Sequence, residues 1–358
     1  MIELDGSQKS GSGTIVRDSI PFSILTGEGV HLKNIRAKRE KPGLRPQHLK
    51  AIEAAAQISQ GTLEGAWVDS TEVRFNPGER IRGGNFNWDI GTAGSATMLA
   101  LTVIPLALFA DAPSNYRITG GLFQDFAPSV YHLKHVLLPI LSNMGAQIEL
   151  KIIQPGYVPR GEGQIEISII PLKKRLKAFN LTHQGKVTSI KGKALSSLLK
   201  ERKVSERMAE ECRDELRTKG YDSDIDVLYE TEEEPAYDRT SVQAGAALAI
   251  WAGTDTGCLL GADMAGKLRR SAEFIGRQTA KNLVEDLTTG ATVDRFLADQ
   301  LIPYAALAEG YSSYLLPWMT DHVDSRLWLI EKILGAKAEV KANTVRIKGT
   351  GYSIEKKS

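Results

Sequence analysis

Strand-like and helix-like segments alternate over roughly the first 170 residues in units of about 70, which constrains the fold more than any single motif. A short apolar start, residues 1–4, leads through a Gly/Ser-rich loop, residues 5–14, into an apolar-periodic run at 15–25. Residues 71–75 alternate like a strand and are followed by the turn-rich Gly83-Gly84-Asn85. A long apolar helix follows Ile90-Gly91-Thr92-Ala93-Gly94-Ser95, then a strand at 117–119 ending at Gly120-Gly121, and a second helix at 128–144. Strands at 148–153 and 164–170 close the second unit. Duplicated α/β modules fit this order better than a solenoid.

A chain of 358 residues exceeds one ordinary core, so repeats plus an insertion are expected. From residue 182 the composition turns charged. An amphipathic helix at 204–219, a strand at 225–229, an acidic loop at 230–234, apolar strands at 244–251 and 258–260 and a helix at 271–287 read as a separate piece. The expected division is a main domain of residues 1–181 and 289–358, with a smaller inserted domain at 182–288. The fold class is α/β (α+β).

Basic and acidic residues number 45 and 43, a net charge of +2, which excludes a polybasic nucleic-acid coat and makes any anion site local. Cys212 and Cys258 supply neither a disulfide framework nor metal-ligand spacing, so a reducing, cytoplasmic setting is expected. The longest apolar run, 96–110, is interrupted by Pro105 and falls short of the roughly 20 residues that span a bilayer. No membrane association and no secretory leader are expected.

Chemistry concentrates in a few stretches. Residues 35–49 carry Arg36, Lys38, Arg39, Lys41 and Arg45 on a loop stiffened by Pro42 and Pro46, feeding an Ala-rich helix. Guanidinium forks and free backbone N–H groups at such a helix start suit phosphate, although charge alone favours a solvated loop. Residues 296–304 place Asp299 and Gln300 inside an apolar segment, and buried acids need partners. At 320–335, Thr320 or Asp321 can cap a helix whose apolar side carries Leu327, Ile330 and Leu334 and which Gly335 stops. His322 then lies in the first turn, where the helix dipole disfavours imidazolium and attracts anions. His132 and His135 are three apart on a helix, a conceivable metal pair without an acidic third ligand.

Taken together, Ile-Arg-Ala-x-Arg-x-x-Pro-Gly-Leu-Arg-Pro-Gln-His-Leu at 35–49, Leu-Ala-Asp-Gln-Leu at 297–301, the histidine helix at 322–334 and the Gly-x-x-Pro-x-Gly-Glu-Gly loop at 156–163 resemble the RNA 3'-terminal phosphate cyclase family. That resemblance implies repeated β-α-β-α-β-β units with a smaller inserted α/β domain. It implies conversion of an RNA 3'-phosphate to a 2',3'-cyclic phosphodiester with ATP, through a histidyl-AMP intermediate on His322 and an RNA-adenylate. Asp299 would orient His322. Arg17, Arg39 and Arg45 would hold phosphates, Gln47 and His48 would support the loop, Pro128 would line the nucleotide pocket, and Gln300 would belong to the nucleotide site. ATP, an RNA with a 3'-phosphate end and a divalent metal, Mg²⁺ or Mn²⁺, are the implied partners, and a homodimer is a compatible assembly.

Several positions depart from the family pattern. Lys9-Ser10-Gly11-Ser12-Gly13-Thr14 stands where the family typically reads Gly-Glu-Gly-Gly-Gly-Gln, so the metal-associated glutamate becomes Ser10 and the metal ligands stay unassigned. Leu101 replaces a common glutamine, Gly121-Leu122-Phe123 replaces Gly-Thr-Asp/Asn, Glu162 replaces a glycine, and Arg326 replaces a frequent Asn. Two alternatives remain open on sequence. One is a catalytically weak or inactive cyclase-like factor in RNA processing or ribosome biogenesis, for which His322 is dispensable. The other is an enolpyruvyl-transferase-like enzyme, which would use a Lys/Arg cleft and no covalent histidine.

Overall fold

The computed structural model describes residues 1–353. Residues 354–358 of the expected main domain lie outside the described residues.

The first unit runs β1 (Ile2–Asp5), α1 (Gly13–Thr26), β2 (Val30–Lys33), α2 (Pro46–Ser59), β3 (Thr62–Glu64) and β4 (Val73–Asn76), with sheet order β1-β2-β4-β3. β1 and β2 are parallel, with Ile2 opposite Val30, while β4 is antiparallel to both β2 and β3. The second unit repeats this order: β5 (Gly84–Asp89), α3 (Ala96–Ala107), β6 (Ser114–Gly120), α4, β7 (Gln147–Gln154) and β8 (Gly163–Ile170), in sheet order β5-β6-β8-β7. Here α4 is one helix assembled from Val130–His132, a π-helical turn Leu133–Leu137, and Leu138–Asn143.

The third unit is split. β9 (Asn180–Leu181) leaves the main body, and the chain returns to it more than a hundred residues later. Between lie β10 (Val187–Ser197), α5 (Val204–Thr218), β11 (Asp224–Glu230), β12 (Gly245–Thr254), β13 (Leu259–Ala265) and α6 (Ala272–Thr288), whose sheet order is β11-β10-β12-β13. The returning chain forms α7 (Leu297–Gln300), α8 (Ile302–Leu307), β14 (Tyr311–Leu315), α9 (Asp321–Leu329, continued by the π turn Ile330–Leu334), β15 (Lys337–Lys341) and β16 (Thr344–Lys348). The order β9-β14-β16-β15 matches the other two sheets strand for strand.

Side-chain patterning explains the layers. β8 alternates buried Ile165, Ile167 and Ile169 with more exposed residues, a sheet with one face in the core. β12 is apolar on both faces for a different reason. Its Ala247 and Ala249 join the main core, while Leu248 and Ile250 join a second core with Met208 and Cys212 of α5 and Ile275 and Leu283 of α6. The buried alanines of α2, Ala51, Ala54 and Ala55, leave little bulk where α2 packs against α1 and α3. α1 also packs on α9, so the N-terminal ends of α1, α2, α3 and α9 come together at one end of the helical layer. No helix among the described residues is long and apolar enough to cross a membrane.

Candidate active site

The loop after β1 is turned by Gly11, whose φ of +53° lies in the left-handed region, and Ser12 then caps α1 by accepting the Thr14 N–H at 3.3 Å. Gly13 has no room for a side chain. A Cβ there would stand 2.1 Å from His48 Nε2 and 2.9 Å from Arg17 Nη1, so this glycine allows the starts of α1 and α2 to touch.

The basic stretch feeds α2 through its own carbonyls. Arg36 donates to the carbonyls of Lys41 at 2.7 Å and Gly43 at 2.8 Å, closing the loop on itself. Arg45 N–H donates to His48 Nδ1 at 3.3 Å, which leaves the His48 proton on Nε2, facing Gly13. Burial, followed by the charges of Arg17, Arg36, Arg45 and Arg39, drives the His48 pKa down to about 2. His48 is therefore a neutral wedge between the starts of α1 and α2. Gln47 Oε1 accepts the Ser95 N–H at 3.0 Å, and Ser95 caps α3. The Ser95 hydroxyl lies 2.7 Å from Thr97 Oγ1, and Thr97 Oγ1 donates to the carbonyl of the buried Pro128 at 2.8 Å. Three helix starts are thus tied in one chain of hydrogen bonds, with Ser129 capping α4 beyond Pro128.

Thr320 caps α9 by accepting the Val323 N–H at 3.2 Å, which places His322 in the first turn. The ring is open to solvent, and its Nδ1 lies 2.9 Å from Thr14 Oγ1. Thr14 Oγ1 also accepts from Arg17 Nη2 at a long 3.5 Å. Arg17 is only 5% exposed and has no carboxylate at ion-pair distance among the described residues. Burial lowers its pKa to about 10, so it remains a cation at neutral pH. A buried guanidinium without a carboxylate partner among the described residues, beside an accessible imidazole, has the chemistry that suits an anion. Desolvation also lowers the His322 pKa; Asp299 opposes this, and Arg17, Arg326 and Arg39 reinforce it. The ring is accordingly neutral at pH 7, the form with a lone pair to give.

Several of these side chains have further partners. The Asp299 carboxylate lies 2.9 Å from Arg326 Nη1, in a charge contact not aligned as a hydrogen bond, and its charge raises the His322 pKa without a hydrogen bond to the ring among the described residues. Arg326 also donates through Nε to Asp18 at 2.7 Å, so two acids surround one buried guanidinium. The Arg45 guanidinium is bonded to the exposed Asp69. His132 Nε2 meets Asp294 at 3.0 Å, while His135 stacks on Trp251 with ring centroids 4.2 Å apart. Of the remaining expected residues, Arg39 is exposed and without a carboxylate partner among the described residues. Gln300 is buried, its Oε1 lacking a hydrogen-bond partner among the described residues.

The residues present do not fit a protein-held metal. Ser10 Oγ lies 2.8 Å from both Ser12 Oγ and Ser325 Oγ, a buried cluster of hydroxyls without a carboxylate, and Lys9 is paired with Asp324. No group of three His, Cys, Asp or Glu side chains among the described residues could hold an ion. Sequence reasoning gave no individual role to Thr14 or Asp18. The spacing of Thr14 and Arg17, three residues apart in the first turn of a capped helix, was the available signal.

A family model described as RNA 3'-terminal phosphate cyclase matches residues 8–340. Curated proteins named RNA 3'-terminal phosphate cyclase are similar over nearly their whole length. One from Archaeoglobus fulgidus is 37% identical over 350 residues, covering 97% of this chain and 100% of its own. One from Pyrococcus furiosus is 37% identical over 344 residues, covering 95% of each chain. A third, from Pyrobaculum aerophilum, is 35% identical over 356 residues, covering 98% of this chain and 99% of its own.

Proposed function

The chain belongs to the RNA 3'-terminal phosphate cyclase family, and from that premise we propose that it converts an RNA 3'-phosphate to a 2',3'-cyclic phosphodiester with ATP, using His322 as nucleophile. The observation that carries this reading is the neutral, accessible His322 ring beside the buried and unpaired Arg17. A binding protein on this fold would need neither.

His322 attacks the α-phosphorus of ATP, the N–P bond forms, and pyrophosphate leaves with the electrons of the broken P–O bond. Arg17 answers the charge on the α-phosphoryl oxygens, and Arg39, which is exposed, would meet the outer phosphates. An oxygen of the RNA 3'-phosphate then takes AMP from the histidine, returning the electron pair to the ring. The ribose 2'-hydroxyl, already held beside the activated phosphorus, forms the new O–P bond and loses its proton to solvent, while the P–O bond to AMP breaks and AMP leaves with its electron pair. A divalent ion, where present, would be held by triphosphate oxygens and would neutralise their charge.

The test is an RNA carrying a labelled 3'-terminal phosphate, incubated with and without ATP and then with phosphatase. ATP-dependent protection of the label is expected. Complete phosphatase sensitivity with ATP present would contradict cyclase activity.

A further inference from the structure

We propose that Thr14 is the positioning residue for His322: its hydroxyl accepts the hydrogen bond of Nδ1–H and so holds the ring as the tautomer whose Nε2 lone pair is free. The inference rests on the reading of His322 as nucleophile. A neutral imidazole offers one lone pair, and which nitrogen carries it is set by the partner of the other. Free imidazole side chains favour the proton on Nε2, which would present an N–H to the phosphorus in place of a lone pair. Something must therefore hold the proton on Nδ1.

Thr14 is built for that task. It is 1% exposed, sits in the first turn of α1, and its branched side chain has little rotational freedom there. Its Oγ1 is 2.9 Å from Nδ1 and also receives Arg17 Nη2, so the oxygen accepts from one charged donor with a second lone pair left for the ring. His322 Nε2 has no hydrogen-bond partner among the described residues, and the residue is exposed. Among the other groups around the ring, Asp299 is drawn to Arg326, and Arg17, Arg326 and Arg39 carry only donors. Thr14 is then the acceptor at hand, and through Arg17 it ties the nucleophile to the phosphate-binding charge.

In the attack, the Nε2 lone pair forms the N–P bond while the proton stays on Nδ1, hydrogen-bonded to Thr14. The protonated phosphoramidate is a good AMP donor, and when AMP leaves, the pair returns to Nε2 with no proton having moved.

The test compares the wild type with Thr14→Val, which keeps the shape and removes the oxygen, and with Thr14→Ser, which keeps the oxygen. Two readouts are taken: the ¹⁵N NMR tautomer signature of His322 in the free protein, and the single-turnover rate of covalent AMP labelling against ATP concentration. Thr14→Val should move the signature toward Nε2–H and slow labelling at saturating ATP about 10-fold, with the half-saturating ATP concentration little changed. Thr14→Ser should keep the signature and stay within about 3-fold of the wild type. An unchanged Nδ1–H signature in Thr14→Val overturns the inference whatever the rate does, as does a shifted signature with undiminished labelling. Absence of label from the wild type would instead defeat the nucleophile reading, while the NMR signature still reports on the Thr14 contact.

Discussion

Arg326 donates to Asp18 and contacts Asp299, and the guanidinium at the centre is 4% exposed. Breaking such a pair strands buried charge, so Arg326→Asn should lower unfolding stability by about 3–5 kcal/mol, read as a drop in the urea midpoint. A midpoint equal to the wild type would show the triad carries no stability. Arg39 is the opposite case, exposed and without a carboxylate partner among the described residues. Arg39→Ala should leave the melting temperature nearly unchanged while weakening ATP use, and Arg39→Lys should recover only part of the loss, because one ammonium cannot reproduce a two-pronged contact. Equal ATP affinity in all three proteins would return this arginine to an ordinary surface role. The helix that carries His322 was legible in the sequence because a cap at Thr320 and a stop at Gly335 are local signals, whereas the role of His322 came from the family resemblance. Its partner was not, since Thr14 lies 308 residues away and only the tertiary fold joins them.

At the scale of elements, the site depends on helix starts that nearly collide. Gly13→Ala would drive a methyl into His48 and Arg17 and push α1 from α2, displacing Thr14 and with it His322. Covalent labelling by ATP should fall about 100-fold with the circular dichroism spectrum preserved. Labelling at the wild-type rate would mean that the α1–α2 contact does not set the site. The strands and helices were largely readable from apolar periodicity, and the Ala/Leu run of β12 was recognisable as a strand. That β12 is covered on both faces was not, because the second face meets a core built by residues distant in sequence. The π turns that continue α4 and α9 were invisible to a period-3.6 reading. The contact of Asp299 with Arg326 was not legible, because it depends on tertiary placement.

Across the whole molecule, three sheets of one topology carry the helices, and the third is interrupted after β9. The recurrence was visible in the first two units, while the third was hidden by the hundred residues between its first strands. The segment 182–288 meets the main body where His132 on α4 pairs with Asp294, which also accepts the Gly261 N–H at 2.8 Å. Burial opposes the charge on His132, yet Asp294 raises its pKa overall, and Asp294 is itself lowered against its burial by His132. The histidine's contribution is complete below its unfolded pKa of about 6.5 and lost as pH rises through the higher folded value, while the aspartate's is lost in acid, below about 3.9. Asp263 also faces the ring; burial raises its pKa, so its ionisation likewise removes stability as pH rises. Melting temperatures should therefore fall from mildly acidic to alkaline pH, less steeply in His132→Asn, and parallel profiles would show the junction is not titrating. The central claim is tested most directly with ATP labelled at the α or the γ phosphate, incubated with wild type and His322→Ala and followed by denaturing electrophoresis. The wild type should retain α label alone, in a bond labile to acid and stable to alkali, and His322→Ala should retain none. Full α labelling of His322→Ala, or retention of the γ label, would contradict the account.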